Sequence, residues 1–139
     1  MENADTREIL RRCRIFAVVG LSPKPFRDSH RVARFLQEHG YRIIPVYPRE
    51  ERILGETCYR SLRDIPESVD VVDLFRRSDA VEPFVDEAIA LRAKVIWMQL
   101  GVVHEPASEK ARLAGLQVVM DRCPVIEYGR HFGDAAHPF

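Results

Sequence analysis

No stretch of this sequence is apolar for long enough to cross a bilayer. Its longest apolar run is Ile15 to Val19, and a spanning helix needs roughly 20 such residues. Neither sign of charge dominates. There are 21 basic and 21 acidic residues and the formal net charge is zero, so no global field draws the chain to nucleic acid or to an anionic membrane. Cysteine is sparse. Cys13, Cys58 and Cys123 are odd in number and form no C-x-x-C pair. That excludes a disulfide scaffold, a structural zinc and a thioredoxin-type motif, and a reducing, cytoplasmic setting is expected. The first 14 residues are polar and hold no apolar segment of the signal-peptide kind. There is no internal repeat, low-complexity tract or linker. One domain over residues 1–139 is expected, with its core at about 13–128.

Apolar residues make up 46% of the chain, enough for a core that needs neither disulfide nor metal. Five continuous apolar residues, Ile15 to Val19, end at Gly20. Such a run suits a strand buried on both faces, as parallel sheets require. Further strands are expected at 42–47, 69–75, 94–100 and 116–120. Helices are expected at 6–13, about 29–39, from 78 or 79 to about 92, and from about 106 to 115. Asp28 or Ser29 is placed to cap the second of these. Pro45 removes a ladder donor from the second strand, so that strand should pair mainly on one side. Residues 48–68 lack a full helix and show a weak turn near Ser61 to Ile65. The pattern predicts an α/β fold, a Rossmann-like doubly wound parallel five-stranded sheet of order 3-2-1-4-5 with helices on both faces.

Ligands of such sheets lie beyond the carboxyl ends of the strands. Gly20, Leu21, Ser22, Lys24 and Arg27 follow the first strand. Val46, Tyr47, Pro48 and Arg49 close the second. Phe75, Arg76 and Arg77 follow the third, and Gln99, Gly101 and His104 the fourth. A neutral chain thus gathers Lys24, Arg27, Arg49, Arg76 and Arg77 at one edge, diluted by acidic Asp28, Glu50 and Glu51; the cluster suits a ligand with several phosphates, and the alternative is a solvated loop surface. Gly20 permits a tight turn and the approach of a diphosphate. Gly20-Leu21-Ser22 lacks the later glycines of G-x-G-x-x-G. The second strand ends at Val46-Tyr47-Pro48-Arg49, where an NAD site would place an acidic ribose ligand. A basic residue there fits a ribose bearing an extra phosphate, as in NADP or coenzyme A.

Four segments carry a family resemblance: AVVGLSPKPFRDSHRVARFLQEHGYRIIPVYPRE, ILGETCYRSLRDIPESVDVVDLFRRSDAV, VIWMQLGV and GLQVVMDRCPVIEY. Together they span about residues 15–128. The chain resembles the stand-alone CoA-binding domain proteins, which are similar to the N-terminal CoA-binding domain of the succinyl-CoA synthetase α subunit. The resemblance implies a pocket for the ADP half of coenzyme A. Gly20 and Ser22 would face the diphosphate and Arg27 would contact phosphate, with Leu21 and Lys24 of the same loop counted among the binding residues. Val46, Tyr47 and Pro48 would border the adenosine. Phe75 and Arg76, with Arg77 near, would flank adenine and ribose. Gln99 and Gly101 would close the far wall. Tyr47 departs from the family's V-x-P segment, which commonly has Asn.

No catalytic residue and no metal site is read from this sequence. His104 is the best-placed histidine, and an exposed loop histidine is mostly polar surface. Cys123 is expected to be a small buried residue, with capture of a coenzyme A thiol as the sharper alternative. The synthetases' phosphorylated histidine and nucleotide-handling subunit lie outside this domain, so the resemblance implies binding and not ligase chemistry. The expected ligand is coenzyme A or an acyl-CoA, with no nucleic acid and no membrane, and with a protein partner or a homodimer left open. The alternative is an NAD(P)-binding enzyme or redox sensor on the same fold. Residues 125–139, tipped by Tyr128, Phe132 and Phe139, are expected to fold back or to meet a second copy.

Overall fold

A computed structural model gives the fold and describes residues 3–139. The apolar runs become strands and the amphipathic stretches become helices: α1 (Thr6–Arg12), β1 (Ile15–Val19), α2 (Asp28–Glu38), β2 (Arg42–Val46), β3 (Arg52–Ile53), β4 (Glu56–Thr57), β5 (Val71–Leu74), α3 (Glu82–Ala90), β6 (Val95–Met98), α4 (Glu105–Leu113), β7 (Gln117–Val119) and α5 (Pro124–Phe132). Short 3₁₀ turns lie at Leu62–Asp64 and Ser78–Ala80.

The five long strands form one sheet, all parallel, with helices on both faces. The expected order 3-2-1-4-5 is corrected. The observed order is β2-β1-β5-β6-β7, which is 2-1-3-4-5 when only the long strands are counted. The outer edge of β2 explains the difference. Pro45 has no N–H to offer there. The strip leading out of β4 covers that edge instead. Val46 bridges Tyr59, Tyr47 N–H donates to the Tyr59 carbonyl, and Tyr59 N–H donates to the Pro45 carbonyl. The third long strand, β5, therefore pairs with the free side of β1, from Phe16 opposite Val71 to Val19 opposite Leu74. Pro45 does sit on the edge strand of the sheet, which is paired mainly on one side, as expected.

Alternate side chains feed two cores. Phe16, Val18, Ile43, Val71, Val95, Trp97 and Val119 pack under α1, α2 and α5. Ala17, Val19, Ile44, Val72, Leu74, Ile96 and Val118 pack under α3, α4 and the Leu62 turn. The predicted helix cap is also corrected. Arg27 is the N-cap of α2, and no side chain caps this end. Residues 125–139 fold back on the domain: α5 packs beside α1 and α2, and Phe139 meets Tyr41 edge to face at 5.2 Å. Among the described residues, no helix is long and apolar enough to cross a membrane.

Candidate functional site

The switch point of this strand order lies between β1 and β5. From there the chain departs in opposite directions, and a crevice opens at the carboxyl ends. Gly20 sits at that point with φ +82°, and a Cβ there would lie under 3.0 Å from the Phe75 carbonyl oxygen. Its N–H donates to the Val46 carbonyl. One glycine thus ties together the ends of β1, β2 and β5.

The loop after Gly20 is shaped by the first turn of α2. Ser22 N–H donates to Ser29 Oγ at 2.9 Å, and Lys24 N–H donates to Ser22 Oγ at 3.1 Å. His30 Nδ1 lies 2.9 Å from the Ser22 carbonyl. Ser29 and His30 are both buried. With no side-chain cap, the first N–H groups of α2 stay available to an anion. Leu21 is wholly buried in the core, its backbone included.

Between α2 and α5 runs a cleft of about 760 Å³. Helix α2 supplies Arg31, Val32, Arg34 and Phe35 to it. Phe75, Arg76 and Arg77 come from the end of β5, Gln99, Leu100 and Val102 from beyond β6, and Cys123, Val125 and Ile126 from the start of α5. The second wall stands where it does because α5 is anchored behind it. Tyr128 is fully buried, packs edge to face on Phe35 at 5.4 Å, and donates to the Ala135 carbonyl. Glu127 accepts from Thr6 Oγ1 at 2.7 Å and pairs with Arg130 at 3.0 Å. Trp97 Nε1 donates to the Arg122 carbonyl and holds the entry to the helix.

The structure thus brings Phe75, Arg76, Arg77 and Gln99 together in the cleft. Gly20, Ser22, Lys24 and Arg27 form the neighbouring loop. Val46 is buried in the opposite core, and Pro48 lines a separate hollow with Arg49, Cys58 and Arg60. Tyr47 is half-buried beside them, its carbonyl 3.5 Å from Cys58 Sγ. Gly101 is not among the cleft-lining residues; its N–H donates to Asp121 Oδ1 and its carbonyl accepts from Ser78 Oγ. His104 caps α4, with Nδ1 accepting from Ala107 N–H at 3.0 Å. That fixes it as a structural histidine. The α5 wall was not foreseen from sequence. Pro124, just after Cys123, was its one start signal, because proline suits a first helical turn.

Two electrostatic features mark the site. Lys24, Arg27, Arg34, Arg49 and Arg76 form no ion pair among the described residues, whereas Arg31 is paired with Asp28 and Arg77 with Asp79. Below the cleft, Asp73 is completely buried, and burial pushes its carboxyl up to about 7. Burial also raises the Cys123 thiol, and the nearby Asp73 and Asp28 charges add to this. A thiol so placed is mostly neutral at pH 7 and a weak nucleophile.

Known proteins resemble this chain over nearly its whole length. The protein YneT of Bacillus subtilis is 41% identical over 120 residues, which is 86% of this chain and 89% of that protein. The solved structure of a hypothetical protein from Pyrococcus horikoshii superposes with a TM-score of 0.89 at 42% identity, covering 96% of this chain and all of the other. The ADP-forming acetate–CoA ligase I of Archaeoglobus fulgidus is 30% identical over 74 residues. That match takes in 53% of this chain and 11% of the ligase, so only a small part of the ligase is represented here. The CoA binding domain family matches residues 14–129, which include the whole five-stranded sheet and both walls of the cleft. The chain belongs to the CoA binding domain family.

Proposed function

We propose that this domain binds coenzyme A or an acyl-CoA through its ADP moiety, at the carboxyl ends of β1, β2 and β5, with no catalysis of its own. The observation that carries the reading is that Lys24 and Arg27, in the loop before the uncapped start of α2, and Arg76, after β5, form no ion pair among the described residues, and neither does Arg49 beyond β2. Unpaired cations beside free helix N–H groups suit phosphates. The Gly20 turn lets a diphosphate come close to the backbone. The second strand ends without an acidic ribose ligand, and Arg49 favours a ribose carrying its own phosphate. The neutral Cys123 thiol and the capping role of His104 supply no nucleophile or base. The pairing of binding with the cytoplasm rests on the free cysteines.

Isothermal titration calorimetry with coenzyme A, dephospho-CoA, NADH and NADPH tests this. Coenzyme A should bind tightest, and removal of its 3′-phosphate should weaken it about tenfold, the loss of one charge-assisted contact. Equal or tighter binding of NADH or NADPH refutes the reading.

A further inference from the structure

β5 carries one polar side chain on the face covered by α2 and α5, and that is Asp73. Its sheet neighbours are Val18 on β1 and Trp97 on β6. The residue is 0% exposed. Oδ1 accepts from Gln99 Nε2 at 2.6 Å, while Oδ2 has no hydrogen-bond partner. A half-satisfied buried carboxyl costs stability, and an apolar residue would fill a parallel strand better. The fold alone gives no reason for it.

Gln99 supplies the reason. It leaves β6 only 5% exposed, and yet it lines the cleft. An amide has a donor end and an acceptor end. Nε2 gives one of its two N–H groups to Asp73, which fixes the amide with Oε1, an acceptor without a partner among the described residues, turned away from Asp73. Around it, Val32, Phe35, Phe75 and Val125 supply apolar wall, while the charged groups of the cleft belong to Asp28, Arg31, Arg34, Glu38, Arg76 and Arg77. A nearly buried acceptor held in one orientation beside apolar wall favours a ligand that brings an N–H, because a ligand without one leaves the acceptor desolvated and unpaired.

We propose that Gln99 reads an amide N–H on the flexible arm of the bound ligand, and that Asp73 is the positioning residue that holds the Gln99 amide in that orientation. The inference rests on the coenzyme A reading and deepens it. The arm in question is the pantetheine arm, which carries two amides. The cleft between α2 and α5 takes that arm, and the ADP moiety stays with the Gly20 loop and the end of β2.

The test compares coenzyme A with 3′-phospho-ADP, which is coenzyme A without its arm, by calorimetry. Gln99→Leu should weaken coenzyme A about tenfold, the worth of one buried hydrogen bond, and leave 3′-phospho-ADP within about twofold. Asp73→Leu frees the Gln99 amide and should reproduce that selective loss. Asp73→Asn keeps an oxygen for Gln99 Nε2 and should hold coenzyme A within about threefold. Should Asp73→Leu fail to fold, Gln99→Leu with Asp73→Asn decides alone. Unchanged coenzyme A affinity in Gln99→Leu, or equal losses for both ligands, overturns the proposal. So does equal affinity of the parent for the two ligands. Failure of the parent to bind either ligand overturns the coenzyme A reading itself, which is a different result.

Discussion

The two ends of the sheet treat charge in opposite ways. At the amino ends of the strands, Asp70 and Arg42 are matched by opposite charge. Asp70, just before β5, accepts from the N–H groups of Arg14 and Ile15 and pairs with Lys94. Arg42, at the start of β2, holds Glu67 through two guanidinium contacts of 2.7 and 2.6 Å and also meets Glu56. At the carboxyl ends, Lys24, Arg27, Arg49 and Arg76 stand unmatched among the described residues. Asp70 and Asp73, three residues apart, show the contrast most sharply. Burial works to raise both, but at Asp70 the two N–H donors and Lys94 outweigh it, and the carboxyl ends below its usual range. At Asp73 only Gln99 opposes burial, and the carboxyl rises to about 7. Paired charge marks the end that holds the fold together. On the coenzyme A reading, unpaired charge marks the end that meets the ligand.

Substitutions can break this comparison, starting with the largest effect. Gly20→Ala forces a Cβ into the Phe75 carbonyl at a positive φ and should cost about 3 kcal/mol or more in urea unfolding. Gly115→Ala, before β7, has a similar φ of +93° but open space around it, and should cost only about 1 kcal/mol. Equal costs would show that crowding at the switch point is not what demands glycine.

Asp73 and Asp70 should give opposite pH dependences. Asp73 holds its proton more tightly in the fold than in the unfolded chain. Its stabilising contribution is therefore complete below about pH 4 and is lost as pH rises to about 7. Asp73→Asn should remove that slope and leave the protein about 2 kcal/mol more stable than the parent at pH 8. Asp70 binds its proton more weakly in the fold, so its contribution is present at neutral pH and is lost in acid. Asp70→Asn should cost about 1 kcal/mol at pH 7 and converge on the parent as the acid form takes over. Thermal melts of the three proteins across pH 3–8 check both signs, and parallel curves would contradict both.

The smallest stability effects come from the arginines. Arg76→Ala and Arg49→Ala should shift unfolding by no more than about 0.5 kcal/mol, yet weaken coenzyme A by about threefold to tenfold. Arg42→Ala should do the reverse, losing about 0.5–1 kcal/mol of stability with coenzyme A affinity unchanged.

Much of this was legible in the sequence. Strands buried on both faces write themselves as unbroken runs such as Ile15 to Val19, and Gly20 marks the turn that follows. The strand-end arginines were visible because topology alone places strand ends together. Strand order was not legible, because it depends on what covers the outer edge of β2. That cover begins in the β3–β4 hairpin, whose two turn residues, Leu54 and Gly55, both have positive φ. Such a turn favours Asn-Gly, and Leu in the first position conceals it. Helix α5 was hidden in the same way, since Gly129 lies within it and weakens the helical pattern. The cleft exists only once α5 is placed, so Cys123, Val125 and Ile126 could not be read as its wall. The link from Asp73 to Gln99 spans two strands, and spacing along the chain carries no trace of it.

The most direct test of a paired end and a ligand end is a titration with coenzyme A followed residue by residue by amide NMR. The account predicts shifts at Gly20, Ser22, Arg27, Phe75, Arg76 and Gln99, with Asp70, Lys94 and Gln117 at the opposite end unmoved. Shifts centred on Asp70, Lys94 and Gln117, or none anywhere at saturating coenzyme A, would contradict it.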